Sequence, residues 1–336
     1  MPAPAIRRHE IAVPLALAAL VVALQLVSLA VGPAPLSPLD AFAGLLGGGD
    51  GPAGIVMREI RLPRALLAAL VGASLGLSGA AMQGYLRNPL AEPGLIGVTG
   101  AAGLGAVIAL QTGLAALAPL ALPGLALAGA AVAVGLILLL AGPRGGSMTL
   151  ILAGIAISAL AGALTSLVLN LSPNPYAAAE IVFWLLGSVA DRSMTHVWLA
   201  LPVMAVGWAL LLSTARGLDA LTLGEDAAES LGVRTGRLRL LLVLGTAASV
   251  GAATAVAGAI GFVGLVVPHL LRGPAGGQPS RLLPLSALGG AAMVLAADIA
   301  TRLVLPDRDL KLGVLTAIVG APLFIHLVYR TRGERA

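Results

Sequence analysis

Long apolar runs separated by short polar connections fill this chain. Runs of about 18 or more apolar residues read as membrane-crossing helices, because a helix satisfies its own backbone hydrogen bonds in lipid. The pattern predicts about ten such helices, at residues 11–32, 62–83, 94–111, 114–141, 149–171, 196–214, 238–257, 259–271, 282–305 and 312–330. The run 259–271 is short and reads as a partial or steeply placed helix. The longest polar stretches, 32–60 and 172–195, are too short for a soluble domain, so residues 1–336 read as one transmembrane domain. Ser172-Pro173-Asn174-Pro175 is a turn signal, and 177–186 predicts a short helix at the membrane surface.

Composition agrees with an all-α membrane protein. The chain is 58% hydrophobic and 10% charged, where soluble domains run about 25% charged. The 44 glycines predict close helix contacts, since small residues let membrane helices approach. There is no cysteine, which excludes disulfides, thiolate catalysis and cysteine metal sites. The first apolar run is too long for a signal-peptide core and reads as a retained helix.

Charge orients the helices. In a ten-span topology Arg7, Arg8, Arg87, Arg144, Arg216, Arg234, Arg237, Arg239, Arg272, Arg281, Arg330, Arg332 and Arg335 fall on one side. The positive-inside rule makes that side the cytoplasm and puts both termini there. The opposite connections hold Asp40, Asp50, Asp191 and Asp307, but also Arg58, Arg61, Arg64, Arg192, Arg302, Arg308 and Lys311. Those outward positives suit an acidic partner; in a membrane protein the net charge of +5 reports topology rather than nucleic-acid binding.

Several kinds of chemistry are missing. Lys311 is the single lysine, and no glycine-rich phosphate loop occurs. The chain is therefore no P-loop ATPase by itself. His9, His196, His269 and His326 form no metal-spaced pair, and no HExxH motif occurs. Asp298 is either a functional intramembrane acid or a structural one paired with Arg302 four residues on. His269, after Pro268, suits a hydrogen bond within a turn better than a ligand role. One polar island stands out: Gly224-Glu225-Asp226-Ala227-Ala228-Glu229-Ser230-Leu231-Gly232-Val233-Arg234. It is either a solvated loop or a docking surface.

Further segments carry a family likeness. They are Arg61-Leu62-Pro63-Arg64, the small-residue run 71–84, Asn88-Pro89-Leu90-Ala91-Glu92-Pro93-Gly94-Leu95-Ile96-Gly97, and Phe183-Trp184-Leu185-Leu186-Gly187-Ser188. Then come 223–233, 257–269, Ala297-Asp298-Ile299-Ala300 and 313–322. In this order, from about 60 to 328, they closely resemble the permease subunits of ABC importers for iron-siderophores, haem and vitamin B12, the FecCD family. The resemblance implies the type II ABC importer permease fold, with ten helices per subunit, in a bacterial inner membrane. It implies a homodimer with a pathway on its two-fold axis, two cytosolic ABC ATPases and a periplasmic substrate-binding protein. ATP and Mg then belong to the partner ATPase, with no cofactor bound permanently here. The implied cargo is a metal chelate, haem or a ferric siderophore first and cobalamin next.

The same resemblance assigns roles. Residues 218–236 become a cytoplasmic loop with coupling helices, docking on the ATPase through Gly224, Glu225, Asp226, Glu229, Leu231, Gly232 and Val233. Arg61 and Arg302 match arginines that meet the binding protein, with Arg58 and Arg192 as weaker candidates. Asn88, Leu90, Ser147 and Met148 match a cytoplasmic gate. The fifth and tenth spans line the pathway, with Ser158, Thr165, Ser166 and Asn170 as candidates. One departure is Asp309-Leu310-Lys311, where family members often carry Glu-Leu-Pro. An ion-coupled secondary carrier or channel is the rival reading; it needs intramembrane coupling groups and no docking island. An intramembrane enzyme would need a catalytic constellation that the chain lacks.

Overall fold

The computed structural model describes residues 4–32, 34, 36–45, 51–142, 146–172, 175–304 and 309–333. Regular structure among them is helical. The ten apolar runs correspond in order to α1 (Pro4–Ala30), α2 (Leu62–Leu86), α3 (Val98–Gln111), α4 (Ala121–Ala141), α5 (Ser147–Asn170), α6 (Met194–Ser213), α7 (Thr235–Ala257), α8 (Val263–Leu271), α9 (Pro279–Val304) and α10 (Leu312–Gly333). Seven of them, α1, α2, α4, α5, α6, α7 and α9, are long and apolar enough to cross a membrane unaided. This is a multi-pass membrane protein.

The other elements depart from the expected runs for local reasons. The run 259–271 is helical only over α8, nine residues, or about 14 Å at 1.5 Å per residue. Before it the chain unwinds, with Gly258 and Phe262 left-handed at φ 72° and 68°. The run 94–111 begins as a 3-10 turn, Pro93–Ile96, and becomes α3 only after Gly97 at φ 74°. The run 114–141 divides into one turn, Leu114–Leu117, and α4. Pro119 explains the break, since it holds Ala118 extended. In front of α2, Pro52–Ile55 and a π turn, Val56–Arg61, make one rod of 35 residues. A helix at Pro38–Leu45 was not expected. The surface helix lies at Pro175–Leu185, as anticipated. Pro173 and Asn174 of the turn signal lie outside the described residues, as do Asp50, Arg144, Asp307, Arg308 and Arg335.

Small residues set the interior. The apolar windows of α2 and α7 are 78% buried while that of α1 is 6%, so the first two are shafts and α1 lies outside. Along α2 and α9, a Cβ at Gly72 would run into the Gly290 carbonyl, and one at Gly76 into the Ser286 carbonyl. The helices touch backbone to backbone, as glycine pairs permit. Across the shaft the Trp208 indole N–H donates to Ser74 Oγ at 2.9 Å, so α6 is keyed to α2 as well.

Gly76→Val should force α2 and α9 apart, at a cost near the upper end of overpacking, about 3 kcal/mol. Gly135→Ala, where nothing lies within 4 Å of the added carbon, should be silent. Size-exclusion profiles in detergent check this: Gly76→Val is expected to aggregate, and a monodisperse peak like that of Gly135→Ala contradicts the packing account.

Candidate functional sites at the two membrane faces

Between α6 and α7 the connection that holds the polar island folds into two short helices, Ala215–Leu221 and Glu225–Ser230. Gly224, at φ 107°, separates them. Glu225 and Asp226 occupy the first turn of the second helix, where carboxylates suit the positive end of the dipole. Gly232 closes it at φ 85°: its N–H donates to Glu229 O at 2.9 Å, and the Val233 N–H to Ala228 O at 3.0 Å. Left-handed glycine is the usual helix stop.

This island is anchored at several points. Ala228 and Leu218 are fully buried. Asp219 Oδ1 accepts the Ser280 backbone N–H at 2.9 Å, which ties the island to the start of α9. Glu229 Oε1 accepts the Thr235 hydroxyl at 2.8 Å, which ties it to the start of α7. Outward it presents Glu225, Asp226, Glu229, Leu223 and Leu231, an acidic face flanked by bare leucines. Val233 departs from expectation: it packs half-buried on the core, because the bond to Ala228 turns the chain back inward.

On the outer face Arg61 and Arg302 stand together but do not point outward. Arg61 Nη1 donates to the Leu29 and Ala30 carbonyls at 2.8 and 2.9 Å, and Nη2 to Ala34 O. Arg302 Nη1 donates to Ser28 O at 2.9 Å and Val31 O at 2.6 Å. Its Nη2 reaches Ser28 Oγ at 2.7 Å and Asp298 Oδ2 at 2.8 Å. The carbonyls of Ser28, Leu29 and Ala30 are the last of α1, which have no partner within the helix, and those of Val31 and Ala34 lie just past it. Arg61 is consequently only 4% exposed. The expectation that Arg61 and Arg302 offer free charge to a partner is corrected here: α1 takes both guanidiniums.

Asp298 is 1% exposed and lies between two cations, Arg302 and Arg64, whose Nε donates to Oδ1 at 2.9 Å. The pairing with Arg302 four residues on is present. Arg192 repeats the outer pattern, donating from Nε to Val256 O at 2.6 Å near the end of α7. Burial pushes its guanidinium below the ordinary value, and the neighbouring Asp191 opposes this. With Glu180 and His196 it lines an outer cavity of about 310 Å³. At the connection that departs from the family pattern, Lys311 pairs with Asp309 and lies 5.7 Å above the Phe183 ring, joining α10 to the surface helix.

The remaining candidates lie at helix ends and along α5. Asn88 Oδ1 accepts the Leu90 N–H at 2.9 Å, a side-chain-made turn just past α2. Ser147 and Met148 open α5, with Met148 exposed. On α5, Ser166 donates back to Gly162 O at 2.9 Å, Ser158 and Thr165 are half-buried, and Asn170 is exposed at the helix end. One feature was missed: Glu92 and the unwound segment 258–262 share a small cavity of about 100 Å³. Its signal was the pair of glycines, Gly258 and Gly261, inside an apolar run.

The model of the FecCD transport family matches residues 20–330. The permease protein FecD of the Fe(3+) dicitrate transport system of Escherichia coli is 39% identical over 82% of this chain and 86% of its own. The permease protein BtuC of the vitamin B12 import system of Klebsiella pneumoniae is 37% identical over 82% and 83%. Among solved structures, an ABC transporter assigned to the metal-chelate type, in an inward-facing conformation, superposes with a TM-score of 0.84 at 34% identity. That match covers 94% of this chain and 98% of the other.

Asp298→Ala should leave two partly buried cations uncompensated and destabilise the fold by about 3–5 kcal/mol. Asp309→Ala, at an acid that is 67% exposed, should cost no more than about 1 kcal/mol. Thermal unfolding in detergent separates the two; equal midpoints would contradict the clasp described above.

Proposed function

We propose that this chain, which belongs to the FecCD transport family, is the membrane-spanning permease subunit of an ATP-driven importer in a bacterial inner membrane. The observation that carries the reading is the cytoplasmic helix Glu225–Ser230, an acidic and apolar projection in a chain with no phosphate loop of its own. Such a projection suits a groove on a separate ATPase subunit, which supplies ATP and Mg; the permease itself performs no chemistry. Two ATPases, a second copy of this chain and a periplasmic binding protein complete the assembly.

Mechanically, closure of the ATPases displaces the projection. The bond of Glu229 to Thr235 passes that displacement to α7, and Asp219, on the short helix just before the projection, passes it to α9 through Ser280. ATP drives the change because its binding favours one arrangement over the other. Asn88, Leu90, Ser147 and Met148 form the cytoplasmic gate, where small polar and apolar contacts part without breaking strong bonds. Ser158, Thr165, Ser166 and Asn170 line the pathway with α10. On the outer side, Arg61 and Arg302 take part in docking by shaping the rim around α1, with Arg58 and Arg192 nearby. The cargo is a metal chelate, haem or a ferric siderophore ahead of cobalamin. A proton-coupled carrier fits less well, because Asp298 is held between two arginines.

Reconstituted vesicles test the reading. Uptake of haem, a ferric siderophore or cobalamin should require the ATPase, the binding protein and ATP together; uptake on a proton gradient alone overturns it. Glu225→Ala with Glu229→Ala should insert normally and lose ATPase association at least about tenfold, measured by co-purification. Unchanged association removes the docking role.

A further inference from the structure

The cavity around Glu92 lies deep in the membrane. Its wall includes Val250, fifteen residues into α7, and Leu75, eleven residues before the end of α2. At 1.5 Å per residue those positions are about 22 and 16 Å from the cytoplasmic helix ends, within a hydrocarbon core about 30 Å thick. Pro93 reaches this depth by packing on Gly264, where an added Cβ would lie 2.6 Å from its ring. The Glu92 carboxylate folds back over Gly94, 2.9 Å from where a Cβ there would sit. It has no hydrogen-bond or ion-pair partner among the described residues.

The backbone opposite is not helical. Gly261 is exposed, Phe262 and Thr99 are half-buried, and Phe262 keeps a left-handed φ of 68°. That conformation is costly for a bulky residue and persists only when its surroundings impose it. Gly320 of α10 makes room for it, since any side chain there would collide with the Phe262 ring. On the other flank Gly97 is backed by Gly154 and Ile157 of α5. The segments 92–97 and 258–262 thus bridge the face between α5 and α10.

Irregular backbone and a lone carboxylate at this depth are not tolerated against lipid; they occur where protein buries them or water fills a cavity. We infer that Glu92, Thr99 and Gly261–Phe262 line a water-filled passage at mid-membrane, with Glu92 as its fixed negative charge. Such a charge favours cationic and neutral groups over small anions. The inference deepens the transport reading but rests on depth and exposure, so failure of ATP-driven import would leave it standing.

The absence of native cysteine makes the test direct. Thr99→Cys, Glu92→Cys and Val132→Cys, the last halfway along α4 and 62% exposed in the wild type, are exposed in membrane vesicles to water-soluble thiosulfonates. One probe carries a trimethylammonium group, the other a sulfonate. Thr99→Cys and Glu92→Cys should react and Val132→Cys should not. At Thr99→Cys the cationic probe should be favoured at least about threefold, and adding Glu92→Gln should abolish that preference. No reaction at either inner position in correctly inserted protein, or reaction equal to that of Val132→Cys, overturns the passage. A preference unchanged by Glu92→Gln overturns the assignment of its charge.

Discussion

A helix that ends at the edge of a membrane leaves its last carbonyls without partners in a place where water is scarce. Arginine is how this chain answers that constraint. Arg61 and Arg302 close α1, Arg192 reaches the end of α7, and on the cytoplasmic side Arg239 donates to Gly142 O at 2.8 Å at the end of α4. A guanidinium suits the task because its forked donors meet two or three carbonyls at once and its charge matches the negative end of the helix dipole. Three of the arginines that break the positive-inside pattern, Arg61, Arg192 and Arg302, thereby have work within the chain itself. Asp298 belongs to the same arrangement, since one buried carboxylate lets two of these cations sit side by side.

Glycine supplies the second constraint. Where α2 meets α9, the absence of side chains brings the backbones into contact, and that contact fixes where everything on the inner shafts can sit. Gly79 lies against the carbonyl of Gly264, so α8 is held beside α2 although it is too short to span anything. Gln83 reinforces the seat: its amide donates to Leu265 O at 3.1 Å while its oxygen accepts from Arg272 at 3.0 Å. A nine-residue helix and the loop in front of it are therefore as firmly placed as the long ones.

Much of this was legible in the residue order. Hydrophobic length located the seven long helices, because lipid demands the same thing of each. The projecting helix Glu225–Ser230 was legible from local signals, acids after Gly224 and a stop at Gly232, which act within a few residues. The breaks at Gly97 and Phe262 were not, because a left-handed residue there depends on Gly154, Ile157 and Gly320, which lie far along the chain. Arg61 and Arg302 were misjudged for a similar reason: the sequence displays a charge but not the carbonyls it will find. The inward turn of Val233 is equally hidden, because its backbone bond to Ala228 has no signature in residue type.

The clasp on α1 also orders events in time. The bonds from Arg61 span 27 to 32 residues and are available as soon as α2 has been made. The bonds from Arg302 span more than 270 residues and must wait until α9 has been synthesised and inserted. Until then, of these two arginines, Arg61 alone fastens the outer end of α1. Full closure of its outer end is thus a molecular signature of a finished chain, and a truncated product lacking α9 would carry α1 loose at its rim.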